Sequence, residues 1–202
     1  MSSKKYLSII STALMLFSCA ASADVITFKF VGTVNGGNLA SAGSQIIGTF
    51  SYDTKSKPVN SSKGNAGYRF ADPYVMSATV EGHTVSTTGL GVDIADDLGG
   101  NVEDLVDIFG VSIQVDGDSY QDGYFGMRLG SGPGNTNVLK NTKLPSSYDV
   151  NEFDAVNINA GEIRSDGGQT GLLLGFSIDS VVVIQVCKSP NGHSNTVHCK
   201  DY

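Results

Sequence analysis

The sequence predicts an all-β chain: an antiparallel β-sandwich of jelly-roll type, in a single domain. Three observations carry that expectation. Apolar and polar residues alternate with period two in one segment after another, which is the spacing of half-buried strands. Gly, Asn, Asp and Ser gather between those segments, and the chain holds 25 glycines, as tight turns require. Almost nothing beyond the first two dozen residues sustains helical periodicity, which leaves strands to build the layers.

The chain opens with Lys4 and Lys5, the apolar run 6–17 and the small residues Ala21-Ser22-Ala23. This order reads as a secretory signal peptide over 1–23, cut before Asp24. The run is shorter than the roughly 20 apolar residues of a membrane helix. Leu16-Phe17-Ser18-Cys19 offers a rival reading as a lipobox, with Cys19 lipidated, although Phe17 stands where a small residue is expected. Both readings export the chain to a secreted or periplasmic location.

Strands are expected over 26–34, where Ile26, Phe28, Phe30 and Val34 share a face, and over 45–53, where Ile46, Phe50 and Tyr52 do. A polar loop, 54–67, leads to short strands at 68–70 and 74–80. Glu81-Gly82 turns the chain into 83–88, completing a hairpin. A further strand is read at 91–95, followed by an acidic loop, 96–104. Strands 109–115 and 124–129 flank an Asp116-Gly117-Asp118 turn, and 131–143 is loop. Asp149 is placed to cap a single helical turn at 150–153, ahead of alternation at 156–160. The last strand, 172–186, is the longest, with the even positions Leu172 to Val186 on its buried face. At about 3.3 Å per residue it is too long to stay straight, so a bend or bulge is expected near Gly175 or Ser180. The sandwich thus spans 24–186, followed by a tail, 187–202.

Charge narrows the function. With 13 basic and 20 acidic residues the net charge is −7. Removing Lys4 and Lys5 with the leader takes −7 to −9. Such a chain lacks the basic face that nucleic acid demands, and it is repelled by anionic membranes. Of the three cysteines, Cys19 leaves with the leader unless lipidated. Cys187 and Cys199 are then expected to pair as a disulfide in an oxidising compartment. A metal site with His193 and His198 is the alternative, but the tight C-x-x-C spacing of structural zinc is missing.

Carboxylates gather in two places: Asp93, Asp96, Asp97, Glu103, Asp104 and Asp107, then Asp116, Asp118 and Asp122. Of these, Asp93, Asp96, Asp97, Asp104, Asp116, Asp118 and Asp122 are the candidate calcium ligands, since calcium takes several hard oxygens. No EF-hand order is present, and Asp and Gly also favour turns for backbone reasons. A glycosidase needs two carboxylates across a cleft, a serine hydrolase a histidine base. Outside the tail the only histidine is His83, and there is no G-x-S-x-G. Gly130-Ser131-Gly132-Pro133-Gly134 lacks the lysine of a phosphate loop. Sugar binding would fall to tyrosines, since the chain has no Trp. The candidates are Tyr68, Tyr74, Tyr120, Tyr124 and Tyr148. Two exposed tyrosines beside the acidic loop would mark a sugar site, and two carboxylates with pKa values pushed apart an enzyme.

Gly48-Thr49-Phe50-Ser51-Tyr52-Asp53 after an F-x-G-x-V strand resembles the exported domains of PEP-CTERM and choice-of-anchor bacterial proteins. Met76-Ser77-Ala78-Thr79-Val80 before Gly82, Leu144-Pro145 with Asp149 to Asp154, and Gly175-Phe176-Ser177-Ile178-Asp179-Ser180 continue the resemblance. It covers about 26–180. Where those proteins carry Pro-Glu-Pro, an apolar helix and a basic cluster, this chain has the Cys187 to Cys199 segment. The resemblance implies a bacterial extracellular β-domain associated with a surface or matrix, and it brings no active-site residues. The expected function is a non-catalytic extracellular binding or structural protein, its partner an unknown ligand or matrix component. The alternatives are a calcium-assisted carbohydrate-binding module and, third, a secreted hydrolase. N-terminal sequencing of the exported protein should return Asp24 first; an acylated Cys19 at the N-terminus would establish the lipobox instead.

Overall fold

The computed structural model describes residues 24–98, 101–155, 158–165, 171–188 and 198–202, and within these there is no helix. Twelve strands follow in order: β1 Asp24–Gly37, β2 Gln45–Asp53, β3 Asn60–Ser62, β4 Asn65–Ala71, β5 Met76–Val80 and β6 His83–Thr87. Then come β7 Gly89–Ala95, β8 Leu105–Val115, β9 Gln121–Gly130, β10 Ala160–Ser165, β11 Gly171–Lys188 and β12 His198–Asp201. Every pairing among them is antiparallel.

The all-β expectation holds, but the layers differ from the expected jelly-roll sandwich. β9 pairs with β10 on one side and with β8 on the other, so eight strands close into a barrel in the order β8-β6-β5-β2-β1-β11-β10-β9. β7, β4 and β3 extend outward from β8, and β12 pairs with β11. Period-two alternation says only that each strand buries one face; it is the same for two facing sheets and for one sheet curled on itself. Curling here is helped by three irregularities in the β1–β11 ladder, between Thr27 and Phe28, Val31 and Gly32, and Val34 and Gly36. Each such bulge bends and twists the ribbon.

One wall of the barrel forks. β6 and β7 lie on the same side of β8 in one register, Val85 to Thr87 opposite Val115 to Ile113 and Gly91 to Ala95 opposite Phe109 to Leu105. β5 then pairs with β6 and turns into the barrel, whereas β4 pairs with β7 and carries β3 away from it. At the parting stands Thr87, fully buried despite its hydroxyl. Its Oγ1 accepts the Met76 N–H at 3.0 Å and donates to the Gly89 carbonyl at 2.7 Å. The hydroxyl therefore does for β5 and β7 what the backbone ladder can no longer do once they separate.

Phe28, Phe30, Phe50 and Tyr52, each at most 1% exposed, head the core. Burying an aromatic or aliphatic side chain of this size contributes about 1.5–3 kcal/mol. Segment 131–155 fills the wedge between the barrel and the flap formed by β7, β4 and β3, and its Leu139, Leu144, Tyr148 and Phe153 join the same apolar cluster as the strands. It is pinned at two depths: Tyr52 Oη donates to the Pro145 carbonyl (2.6 Å) and lies 2.8 Å from Tyr148 Oη, and Tyr68 Oη donates to the Thr142 carbonyl (2.9 Å). Burial pushes the phenols of Tyr52 and Tyr148 above their ordinary range, so both stay neutral hydrogen-bonding groups.

Several local readings change. The expected loop 54–67 contains β3 and the start of β4, polar strands with no alternation to reveal them. The helical turn at 150–153 is a turn in which Asp149 Oδ1 accepts the Asn151 N–H at 3.0 Å. The strand read at 156–160 begins only at Ala160 and continues to Ser165; 156–157 lie outside the described residues. In β11 the even positions Leu174, Phe176 and Ile178 are buried while Leu172 is exposed, then Asp179 is skipped in the pairing with β1. That bulge, beside Ser180 as expected, reverses the phase: Val181 is buried and Val182 is 49% exposed. In the tail, Cys187 and Cys199 face each other across β11 and β12 and are bonded, with Cα atoms 4.0 Å apart. No helix in the described residues is long and apolar enough to cross a membrane. Residues 1–23 and His193 lie outside the described residues.

Thr87→Val should lower the free energy of unfolding by about 1–3 kcal/mol, the range for a buried donor left unmade, in urea titrations. Thr87→Ser, which keeps the hydroxyl, should recover most of that loss.

Candidate functional site

The outer face of the forked wall carries most of the chain's organised polar chemistry. Strand register places Gly67, Asp93, Asp107, Arg128 and Ala160 in one row across β4, β7, β8, β9 and β10. The next row is Arg69, Gly91, Phe109, Gly126 and Glu162. Within a row or between neighbouring rows, opposite charges come within reach. Arg69 grips Asp93 with both nitrogens, at 2.6 and 3.2 Å. Arg128 bonds Asp107, and Arg164 meets Glu162 at 2.8 Å.

Glycine decides where the rings go. The Phe109 ring lies where a Cβ on Gly91 would stand, and the Tyr124 ring does the same at Gly126, so both rings lie down on the sheet. Their centroids are 6.1 Å apart with planes within 20°. The Arg69 guanidinium covers Phe109 at 4.9 Å from its centroid, a cation–π contact. Tyr124 remains half-buried at the edge of a groove. Burial first, then the Asp107 carboxylate, push its phenol up to about 12, so it serves as a neutral donor at physiological pH.

Two grooves open on this face. The first, about 540 Å³, has Asn60, Asp93, Leu98, Leu105 and Asp107 in its lining. The second, about 360 Å³, is bordered by Asp107, Tyr124, Arg128 and Glu162. Asp107 belongs to both. This is a surface of stacked ring, paired charges and open grooves, suited to holding a ligand rich in hydroxyls. Asp93, Asp107 and Glu162 each hold an arginine.

The candidate calcium ligands fall into separate places. Asp96, Asp97 and Asp104 converge, with one carboxylate oxygen of each within 4.8 Å of the others, and among the described residues they are the group through which a metal could be held. Asp104 is fully buried at its centre. Its Oδ1 accepts the Asp97 N–H at 3.2 Å and its Oδ2 the Leu139 N–H at 2.9 Å, which ties segment 131–155 to the end of β7. Asp93 is engaged by Arg69. Asp116 accepts the Thr84 N–H and bonds His83 Nδ1, both at 2.7 Å, and these contacts hold its carboxyl below the usual range. Asp118 and Asp122 are exposed on the turn and at the start of β9. His83 is the first residue of β6, half-exposed beside the Glu81-Gly82 turn, with its ring held by Asp116.

Among the tyrosines, Tyr52, which was read only as core, and the buried Tyr68 and Tyr148 hold the segment 131–155. Tyr120 is 48% exposed, and Tyr124 alone borders a groove of this wall. The three arginines were missed. Each sits on a strand whose alternation marks it merely as outward, and its partner lies on another strand or two residues away. No protein-family model, curated protein or solved structure matches the chain.

Asp96 is raised above its ordinary value by burial first, then by Asp104 and Asp97. The native state therefore holds that proton more tightly than the unfolded chain. Asp96 weighs against folding at neutral pH and is relieved as pH falls through its raised native value. Asp96→Asn should raise the melting temperature at pH 7 in EDTA, and the gain should vanish near about pH 3, below the ordinary carboxylate range. A wild-type melt shifted upward by millimolar calcium, with the shift lost in Asp96→Asn, would make the cluster a cation site instead.

Proposed function

We propose that this is an exported, non-catalytic binding protein that takes carbohydrate on the outer face of the forked wall. The observation that carries the reading is the Tyr124 ring packed over Gly126, beside a groove lined by the Asp107–Arg128 pair and Glu162. A flat ring meets the C–H face of a sugar, and an arginine beside a carboxylate offers donors and acceptors to neighbouring hydroxyls. Export is supported by the leader over 1–23 and by a disulfide pair of the kind that persists in oxidising compartments. The resemblance to exported surface-associated bacterial domains points the same way. Binding is favoured over hydrolysis because glycosidases need one carboxyl kept protonated opposite another that is ionised, and the carboxylates lining the two grooves, Asp93, Asp107 and Glu162, are each engaged by arginine.

Co-sedimentation with insoluble polysaccharides tests it. The wild-type chain should pellet with at least one of cellulose, chitin, mannan or β-glucan and release no reducing sugar over prolonged incubation. Tyr124→Ala, folded by circular dichroism, should weaken retention by about tenfold, in line with a stacked ring contributing of the order of 1–3 kcal/mol. Release of reducing ends would replace the reading with a hydrolase, and undiminished retention of Tyr124→Ala would move the site elsewhere.

A further inference from the structure

The two grooves and the charge balance between them restrict the ligand further. Both grooves include Asp107, and they open on opposite sides of it along the row that runs from Gly67 to Ala160. From β4 to β10 this wall is about 19 Å wide, four strand spacings of about 4.8 Å. A single sugar would fill one groove and leave the other bare. The charges around the two grooves also pair off, because Arg69, Arg128 and Arg164 are matched by Asp93, Asp107 and Glu162. An anionic polymer would approach a chain of net charge −7 and find these guanidiniums already engaged by carboxylates. A polycation would find the carboxylates engaged in the same way. Neutral hydroxyls need displace neither partner: they can accept from the guanidinium and donate to the carboxylate while the pair stays intact.

We infer, building on the carbohydrate reading above, that the wall binds an internal stretch of an uncharged polysaccharide laid across the strands, with Asp107 under its middle. Asp107 is the most sheltered acid of the three pairs, its side chain 18% exposed against 45% for Asp93 and 40% for Glu162. It is also the one group that both grooves can use. The ligand chain passes over it and is held from both sides, so recognition requires several linked sugars and no free chain end.

Affinity electrophoresis of the full mature chain separates the possibilities. The probes are soluble neutral polymers (dextran, galactomannan, xyloglucan, hydroxyethyl cellulose) and anionic ones (alginate, polygalacturonate), with the constituent monosaccharides as competitors. At least one neutral polymer should retard the protein, the anionic polymers should not, and monosaccharides at equal sugar concentration should fail to release it. Asp107→Asn should weaken neutral binding about tenfold or more, the scale of hydrogen bonds to a charged group. By freeing Arg128 it should also introduce retardation by the anionic polymers. A wild-type circular dichroism spectrum and a cooperative melt for Asp107→Asn guard against reading a folding defect as loss of a contact. Retardation of the wild type by anionic polymers alone would overturn the neutral assignment and leave carbohydrate binding standing. Full release by monosaccharides would overturn the internal-stretch assignment. Retardation by no polymer would remove the carbohydrate reading itself.

Discussion

The fold depends on keeping one sheet intact while its two ends go different ways. β8 is long enough to pair with β6 and β7 end to end, but their outer neighbours β5 and β4 cannot both follow, because one must close the barrel and the other must leave it. A backbone ladder broken inside a core leaves unpaired N–H and C=O groups, each costing about 1–3 kcal/mol. Thr87 resolves this with one hydroxyl, which accepts from Met76 and donates to Gly89. Gly110 makes room for it, since a Cβ there would collide with the threonine side chain. The wedge opened by the fork is then filled by segment 131–155, whose position follows from the buried Asp104 carboxylate and the Tyr52 and Tyr68 hydroxyls.

The same fork makes the proposed ligand surface possible. A closed barrel of eight strands curves away from any extended ligand, but β7 and β4 continue the wall of β8 outward and widen it. On that widened face, Gly91 and Gly126 let aromatic rings lie against the backbone, and the charged residues pair around them. Inner and outer faces of the same strands thus obey different rules. Inside, apolar side chains stand and interdigitate; outside, long side chains lie down over glycine.

Much of this was legible in the chain. The alternation in 26–34, 45–53, 109–115 and 124–129 located β1, β2, β8 and β9, because a strand with one buried face writes its period directly into the sequence. Closure was not legible, since it depends on which strand β9 meets and not on what β9 contains. The phase of β11 was misread between Ile178 and Ile184 because one skipped residue, Asp179, exchanges the buried and exposed sets until a second skip at Ile184. β3 and β12 were invisible for a simpler reason: both are exposed throughout and carry no apolar face. At the site, the acidic stretch around residue 96 and Tyr124 stood out by type. Asp93 and Asp107 did too, but as members of acidic clusters, and their arginine partners Arg69 and Arg128 lie 24 and 21 residues away. A carboxylate reads as a metal ligand until its neighbour across the sheet is known.

The flap ends in β3, three residues long, Asn60-Ser61-Ser62, all exposed. A wall that runs outward from a closed barrel presents an open strand edge, and open edges invite the next molecule to add its own strand and grow a fibre. Here the edge is too short and too polar to template such growth. A sheet widened beyond a closed barrel thus gains area without gaining a long apolar edge.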